Sequence, residues 1–400
     1  MNGAMNPPVS AASRAARRSR ELLTIAALVL GLSACTSWRT VGRYEGWTLY
    51  GEPGREVDTN RFETAIGPAK SAVEEFLGPF QRSVRVHVWS GEAGPETSGA
   101  DVVFDGEGGP VQDVPGIGPA RVRAYHARGD GIFGPPSGIF LAAAECGTAA
   151  HELVHARAAE QDLDLPLWLE EGVACLLGDG FLDGKHWVVD GLSCWPLREL
   201  QSQTISDADL GRILGLRASD RSSARENVLA HFVGWAIVFD LYRQDDGIDW
   251  AGWRLRYATG IPLGEARERI VRTLDPATSL AWMARLRDPR REVRMATAKG
   301  VWKLRSTPIA TALLEALEAE EDPEVRVGFA INLLACAGEA RLPDVLTGRL
   351  WRAVWPALRR APLEDTAERD AARDLLRSFR FRSGHSAQEP LLGLRRFWAE

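Results

Sequence analysis

His151-Glu152-Leu153-Val154-His155 is the segment of this 400-residue chain whose residue types and spacing carry the most chemistry. On a helix, residues four apart share a face, so both imidazoles can reach one cation, and the carboxylate beside the first is placed to act as a general base toward water there. The chain holds only seven His, so a chance match has a probability of roughly one per cent. Two imidazoles do not complete a catalytic zinc site, which takes three protein ligands and keeps the fourth position open. The segment Leu165 to Ala174, LPLWLEEGVA, offers two further carboxylates, Glu170 and Glu171. Sixteen residues separate His155 from Glu171, enough to end one helix, turn, and bring a second helix back across the first. Asp162, Asp164 and Pro166 mark that turn.

The elements that must position these residues are visible as hydrophobic patterns. Gly46 to Tyr50 reads as a strand. Phe62, Ile66, Ala69, Val73 and Phe76 recur at helical spacing, with a kink expected at Pro68. Val84, Val86 and Val88 alternate with polar residues as in a half-buried strand. Residues 91 to 137 are rich in Gly and Pro, with short strands expected at Val102 to Phe104 and Arg121 to Tyr125. Gly138 to Ala142 reads as one more strand before the His-bearing helix, and Ala224 to Tyr242 as a long apolar helix. His186, on an expected hairpin, and His126, on an earlier strand, read as surface residues rather than ligands.

Beyond about residue 275 the pattern becomes almost continuous helix. Asp288-Pro289 precedes Glu292-Val293-Arg294, and Asp322-Pro323 precedes Glu324-Val325-Arg326, with Val293 and Val325 thirty-two residues apart. A unit of that length fits a stacked helical hairpin. Over about residues 280 to 356 the pattern resembles HEAT repeats.

The pair HELVH and LPLWLEEGVA resembles the peptidase MA-like gluzincin metallopeptidases, whose pattern is HExxH followed by P-x-W-L-x-E-G-x-A at the start of a second helix. The resemblance implies zinc held by His151, His155 and Glu171, the Glu directly before the Gly. It gives Glu170 no ligand role and makes Glu152 the general base. Two departures are visible. Family members often use a Tyr from a downstream helix as oxyanion donor, and the loosely matching position here is His231. Thermolysin-like relatives place an acid four residues after the ligand Glu to orient a ligand His, and that position is Cys175. Exopeptidase members carry an upstream Gly-x-Met-Glu-Asn type segment, whereas residues 134 to 141 contain neither Met nor Glu. An endopeptidase is therefore expected, with an edge strand at Gly138 to Ala142 holding an extended peptide.

At the N-terminus, Arg14, Arg17, Arg18 and Arg20 precede the apolar run Leu22 to Leu32 and the small residues Ser33 and Ala34. This is the pattern of an export signal. Leu32-Ser33-Ala34-Cys35 resembles a bacterial lipobox, which implies removal of residues 1–34 and lipidation of Cys35. Thr36 carries no Asp-type retention signal, so an outer membrane is favoured where the cell has one. Export permits pairing of Cys146, Cys175, Cys194 and Cys336. Three connectivities are open; a bridge among the first three is preferred, with Cys336 a buried thiol.

These readings give an α+β fold: a signal peptide over 1–34, a zincin-like domain of a small twisted sheet plus helices over 36–270, and an all-α HEAT-like domain over 275–400. Lys plus Arg number 48 against 54 Asp plus Glu, a net charge of −6, so no basic excess is available for nucleic acid. The expected cofactor is Zn2+, and the expected partners are a peptide or protein substrate, a protein docked on the helical repeats, and a membrane reached through the lipid anchor. The competing expectation is a catalytically weak scaffold that binds proteins through its repeats.

Overall fold

A computed structural model describes residues 38–52, 54, 56–88, 101–103, 111–114, 118–127, 138–141, 144–189, 200, 205–220, 222–245, 247–275, 281–301, 306–339 and 344–360. The export signal, Cys35 and Cys194 lie outside the described residues. The fold is mixed α+β, with a small sheet and a larger helical part.

The chain opens with β1 (Arg39–Tyr44) and β2 (Trp47–Gly51), an antiparallel pair turning at Gly46, whose φ of 75° suits glycine. Next come α1 (Thr59–Leu77), β3 (Val84–Val88), β4 (Asp101–Val103), β5 (Val111–Val114), β6 (Gly118–Ala127) and β7 (Gly138–Leu141). Asp58 caps α1 by accepting from the Arg61 amide at 3.1 Å, and Gly78, at φ 84°, ends it. Pro68 lies inside this helix, whose span is unbroken from Thr59 to Leu77.

The strands run β1-β2-β3-β7-β6-β4, with β5 also on β6. Pairs β2–β3 and β3–β7 are parallel, and β6–β7 is antiparallel. The expectation that Gly138 to Ala142 forms an edge strand is therefore wrong, because β7 is paired on both sides and all four of its residues are buried. Its continuous apolar run is the pattern of a strand covered on both faces. Register places Leu49, Val86 and Ile139 side by side, all fully buried in one core cluster with Phe62, Ile66 and Val73 of α1. Their chain neighbours Tyr50, His87 and Phe140 project to the other face, where the three rings stack in sequence at 4.9 and 4.5 Å.

Two helices follow β7 directly: α2 (Cys146–Glu160), which carries the HExxH segment, and α3 (Leu167–Leu177), which carries Glu170 and Glu171. The hairpin β8 (Gly180–Asp183) and β9 (His186–Val189) comes next. Then come α4 (Asp207–Gly215), α5 (Ala224–Gln244), α6 (Trp250–Arg256) and α7 (Leu263–Leu274). Ser223 and Glu226 form a reciprocal capping box at the start of α5. A buried ion pair, Arg269 to Asp240 at 2.9 Å, ties α7 to α5.

The C-terminal helices are α8 (Arg291–Val301), α9 (Thr307–Ala319), α10 (Pro323–Glu339) and α11 (Asp344–Arg360). The thirty-two-residue spacing reappears as repeated geometry. Val293 and Val325 are both fully buried, while Arg294 donates to the Asp288 carbonyl at 3.0 Å and Arg326 to the Glu320 carbonyl at 2.7 Å. Trp282 joins this array to the first part of the chain, packing on Trp235 and Phe239 of α5.

Candidate metal centre

Helix α2 starts where Gly147 permits a close approach, since a Cβ there would collide with the Gly178 carbonyl at the end of α3. From this anchor, His151 and His155 stand one turn apart with their Nε2 atoms 3.3 Å from each other. The connection to α3 is pinned on both sides. Asp164 accepts from the Ser219 amide, Leu167 donates to the Leu216 carbonyl at 2.8 Å, and Ala218 donates to the Leu165 carbonyl at 2.8 Å. Asp162 takes a φ of 52°, the left-handed turn expected of an Asp or Asn. All eleven residues of α3 are buried, including both carboxylates.

Glu171 Oε2 lies 3.6 Å from His151 Nε2 and 3.5 Å from His155 Nε2. These three atoms form a nearly equilateral triangle. A cation with tetrahedral bonds of 2.0–2.1 Å has ligand atoms about 3.3–3.4 Å apart, so the spacing matches such a centre closely. Glu171 Oε2 is buried and accepts no hydrogen bond, which is costly for a carboxylate oxygen unless a cation compensates it. The donor set, two or more imidazoles and a carboxylate, suits zinc and other first-row divalent ions alike.

His231 enters the same space from α5. Its Nε2 is 3.1 Å from Glu171 Oε2, and its ring stacks on that of His151 at 5.4 Å between centroids. His151, Glu171 and His231 each offer a ligand atom within 4.8 Å of the others, a grouping that could hold a metal ion. This meeting depends on two glycines. A Cβ at Gly172 would collide with the Gly234 carbonyl, and one at Gly234 would collide with the Trp168 carbonyl. The backbones of α3 and α5 therefore pack directly on each other, one residue from Glu171 and three from His231.

Glu170 is the residue that sequence reasoning left without a role. Its Oε1 accepts a hydrogen bond from His155 Nδ1 at 2.8 Å, with both side chains buried. That bond fixes the tautomer of His155 and turns its Nε2 toward Glu171. The orienting acid thus precedes Glu171 by one position, whereas the position four after it holds the buried Cys175. Asn227 was also missed: its backbone carbonyl accepts from His231 Nδ1 at 2.9 Å. Glu152 follows His151 on α2 and is 1% exposed.

His186 is exposed on β9, and His126 lies on β6. Of the three cysteines expected to share a bridge, Cys146 and Cys175 are not joined to each other and pack into the core from separate helices, and Cys194 lies outside the described residues. Burial pushes the Cys146 thiol up to about 12, so it is inert as a nucleophile. Cys336 is fully buried, as expected, and its Sγ donates to the Ser306 carbonyl at 3.8 Å. Among the described residues no helix is long and apolar enough to cross a membrane. No family model, curated protein or solved structure matches this chain.

Proposed function

We propose that this chain is a zinc-dependent peptidase of gluzincin type, an endopeptidase exported and held at a bacterial membrane through lipidated Cys35. On this reading residues 36–270 are a zincin-like catalytic domain and 275–400 a HEAT-like array that docks a protein substrate or partner. The observation that carries the reading is the convergence of Glu171 Oε2 with the His151 and His155 Nε2 atoms at tetrahedral spacing, together with the uncompensated burial of that oxygen.

His151, His155 and Glu171 would hold the ion, and Glu170 keeps His155 in the tautomer that presents Nε2. Zinc, when bound, supplies a Lewis acid that polarises a carbonyl and acidifies water. Glu152, next to His151, takes the proton from the attacking water and delivers it to the departing amine, serving as base and then acid. Its burial in a helix turn beside the cluster shields that proton from bulk solvent.

The scaffold reading draws on one specific feature, the presence of a fourth protein donor, His231, at the cluster, since closed four-ligand sites are structural. One experiment separates the two. Peptide hydrolysis by the metal-loaded full chain is expected to fall at least a hundredfold in Glu152→Gln, with metal content unchanged. Equal, background hydrolysis in both would establish the scaffold reading.

A further inference from the structure

We propose that Asn227 is a substrate-binding residue, whose side-chain amide pairs with a backbone amide of an extended peptide one or two residues from the bond held at the metal. Resting on the peptidase reading, this gives the substrate a second hold beside the ion. The first support is an unmet acceptor. Asn227 is 8% exposed, and its Oδ1 is buried where no donor among the described residues reaches it. Such an oxygen is costly in the empty protein and is satisfied once a ligand brings an N–H. A local remedy exists and is not taken. Asn332, the other buried asparagine among the described residues, donates from Nδ2 to the Gly328 carbonyl one turn back at 2.7 Å. The matching carbonyl for Asn227 is that of Ser223, which accepts the Asn227 backbone amide at 2.9 Å instead. Nor does Asn227 cap α5, because Ser223 and Glu226 do so.

The second support is placement. Asn227 and His231 stand four residues apart on α5 and so share a face. His231 Nδ1 lies 2.9 Å from the Asn227 carbonyl oxygen, and the Nε2 of the same ring lies 3.1 Å from Glu171 Oε2. His151 is the most exposed side chain of the cluster, and the His231 ring stacks on it. The face of α5 that carries His231 and Asn227 therefore borders the side from which the cluster is reached. One helix turn is about 5.4 Å and one residue of extended peptide about 3.3 Å, so a peptide with its carbonyl at the metal passes Asn227 within one or two residues. An asparagine amide both accepts and donates, which matches the N–H and C=O of a peptide unit.

The test uses two alanine tetrapeptides, one with a hydroxamate at its C-terminus and one with a hydroxamate joined through a succinyl group to its N-terminus. The hydroxamate seeks the metal and fixes the register on either side. Each backbone N–H is methylated in turn, and affinity for the zinc-loaded full chain is measured by calorimetry. Asn227→Leu, close in volume but without a polar atom, is compared with wild type, and Asn227→Ala repeats the comparison without the added branch. Methylation at one position is expected to cost the wild type about 3- to 10-fold and either variant less than twofold. Asn227→Leu should bind the unmethylated parent about 3- to 10-fold more weakly, bind acetohydroxamate equally well, and melt no lower than wild type, since the unmet acceptor is gone. Equal methylation penalties in all three chains at every position would overturn the proposal. A variant that loses acetohydroxamate affinity in step with peptide affinity would also overturn it, because Asn227 would then only support the centre. Failure of the wild type to bind any hydroxamate would overturn the metal-centre reading and the proposal with it, whereas tight binding without cleavage of any peptide would overturn the peptidase reading alone.

Discussion

Removing the Glu170 carboxylate is expected to weaken metal binding although Glu170 is not itself placed to bind the ion. In the structure His155 Nδ1 donates to Glu170 Oε1 at 2.8 Å, with His155 8% and Glu170 3% exposed. Without that acceptor the imidazole loses the bond that fixes its tautomer and its ring angle, and its Nε2 becomes less basic. Loss of such an outer partner costs about 10- to 100-fold in metal affinity, or about 1.4–2.7 kcal/mol. The metal-free protein should also lose about 1–3 kcal/mol, because a buried N–H is left unsatisfied. Glu170→Gln keeps an acceptor oxygen and should recover most of both losses, whereas Glu170→Ala should recover neither. The assay is competition for zinc against a chromophoric chelator, paired with urea unfolding of the metal-free forms. Zinc affinity of Glu170→Ala within twofold of wild type would refute the argument that Glu170 orients His155.

Two other perturbations test the framework around the site. Burial, with the Arg85 charge nearby, holds the His87 imidazole down at about 4 against its ordinary 6.5. The unfolded chain therefore takes up a proton that the folded chain refuses, and stability should fall by about 3 kcal/mol as pH drops from 6.5 to 4. His87→Leu should flatten that part of the urea-midpoint profile against pH, and an unchanged slope would show that His87 is not its source. Gly234→Ala drives a methyl into the Trp168 carbonyl, so it should cost about 1–3 kcal/mol and lower metal affinity by parting His231 from Glu171. An unchanged melting temperature would show that the helices have room to spare.

The strongly periodic parts of this fold were legible. The helix bearing His151 and His155 and the second helix bearing Glu171 fall where the HExxH spacing and the turn residues Asp162 to Pro166 put them, and the long α5 falls where its apolar run does. The short strands were less so. β1 and β5 escaped notice, since β1 is mostly exposed or half-buried and carries little alternation. The Gly138 strand was read as an edge although Ile139, Phe140 and Leu141 form the unbroken apolar run of an inner strand.

At the site, the residue types showed which side chains could hold a cation, but not which would orient them. Glu170 reads as the neighbour of a ligand until α3 is seen wholly buried, with that carboxylate turned onto His155. The Gly172–Gly234 contact has no local signature, because it joins residues from different helices whose meeting is decided by packing. His231 entered by resemblance to a family pattern in which a donor stands there. Its hydrogen bond to the Asn227 carbonyl, which holds the ring beside Glu171, has no signature in the sequence.

The most direct test of the whole account is metal stoichiometry and affinity in the purified full chain, compared with Glu171→Ala. The account predicts one tightly held divalent ion per wild-type chain and a loss of at least a hundredfold in affinity for the variant, with the fold retained. A wild-type chain that binds no divalent ion, or a folded Glu171→Ala that binds it equally well, would contradict it.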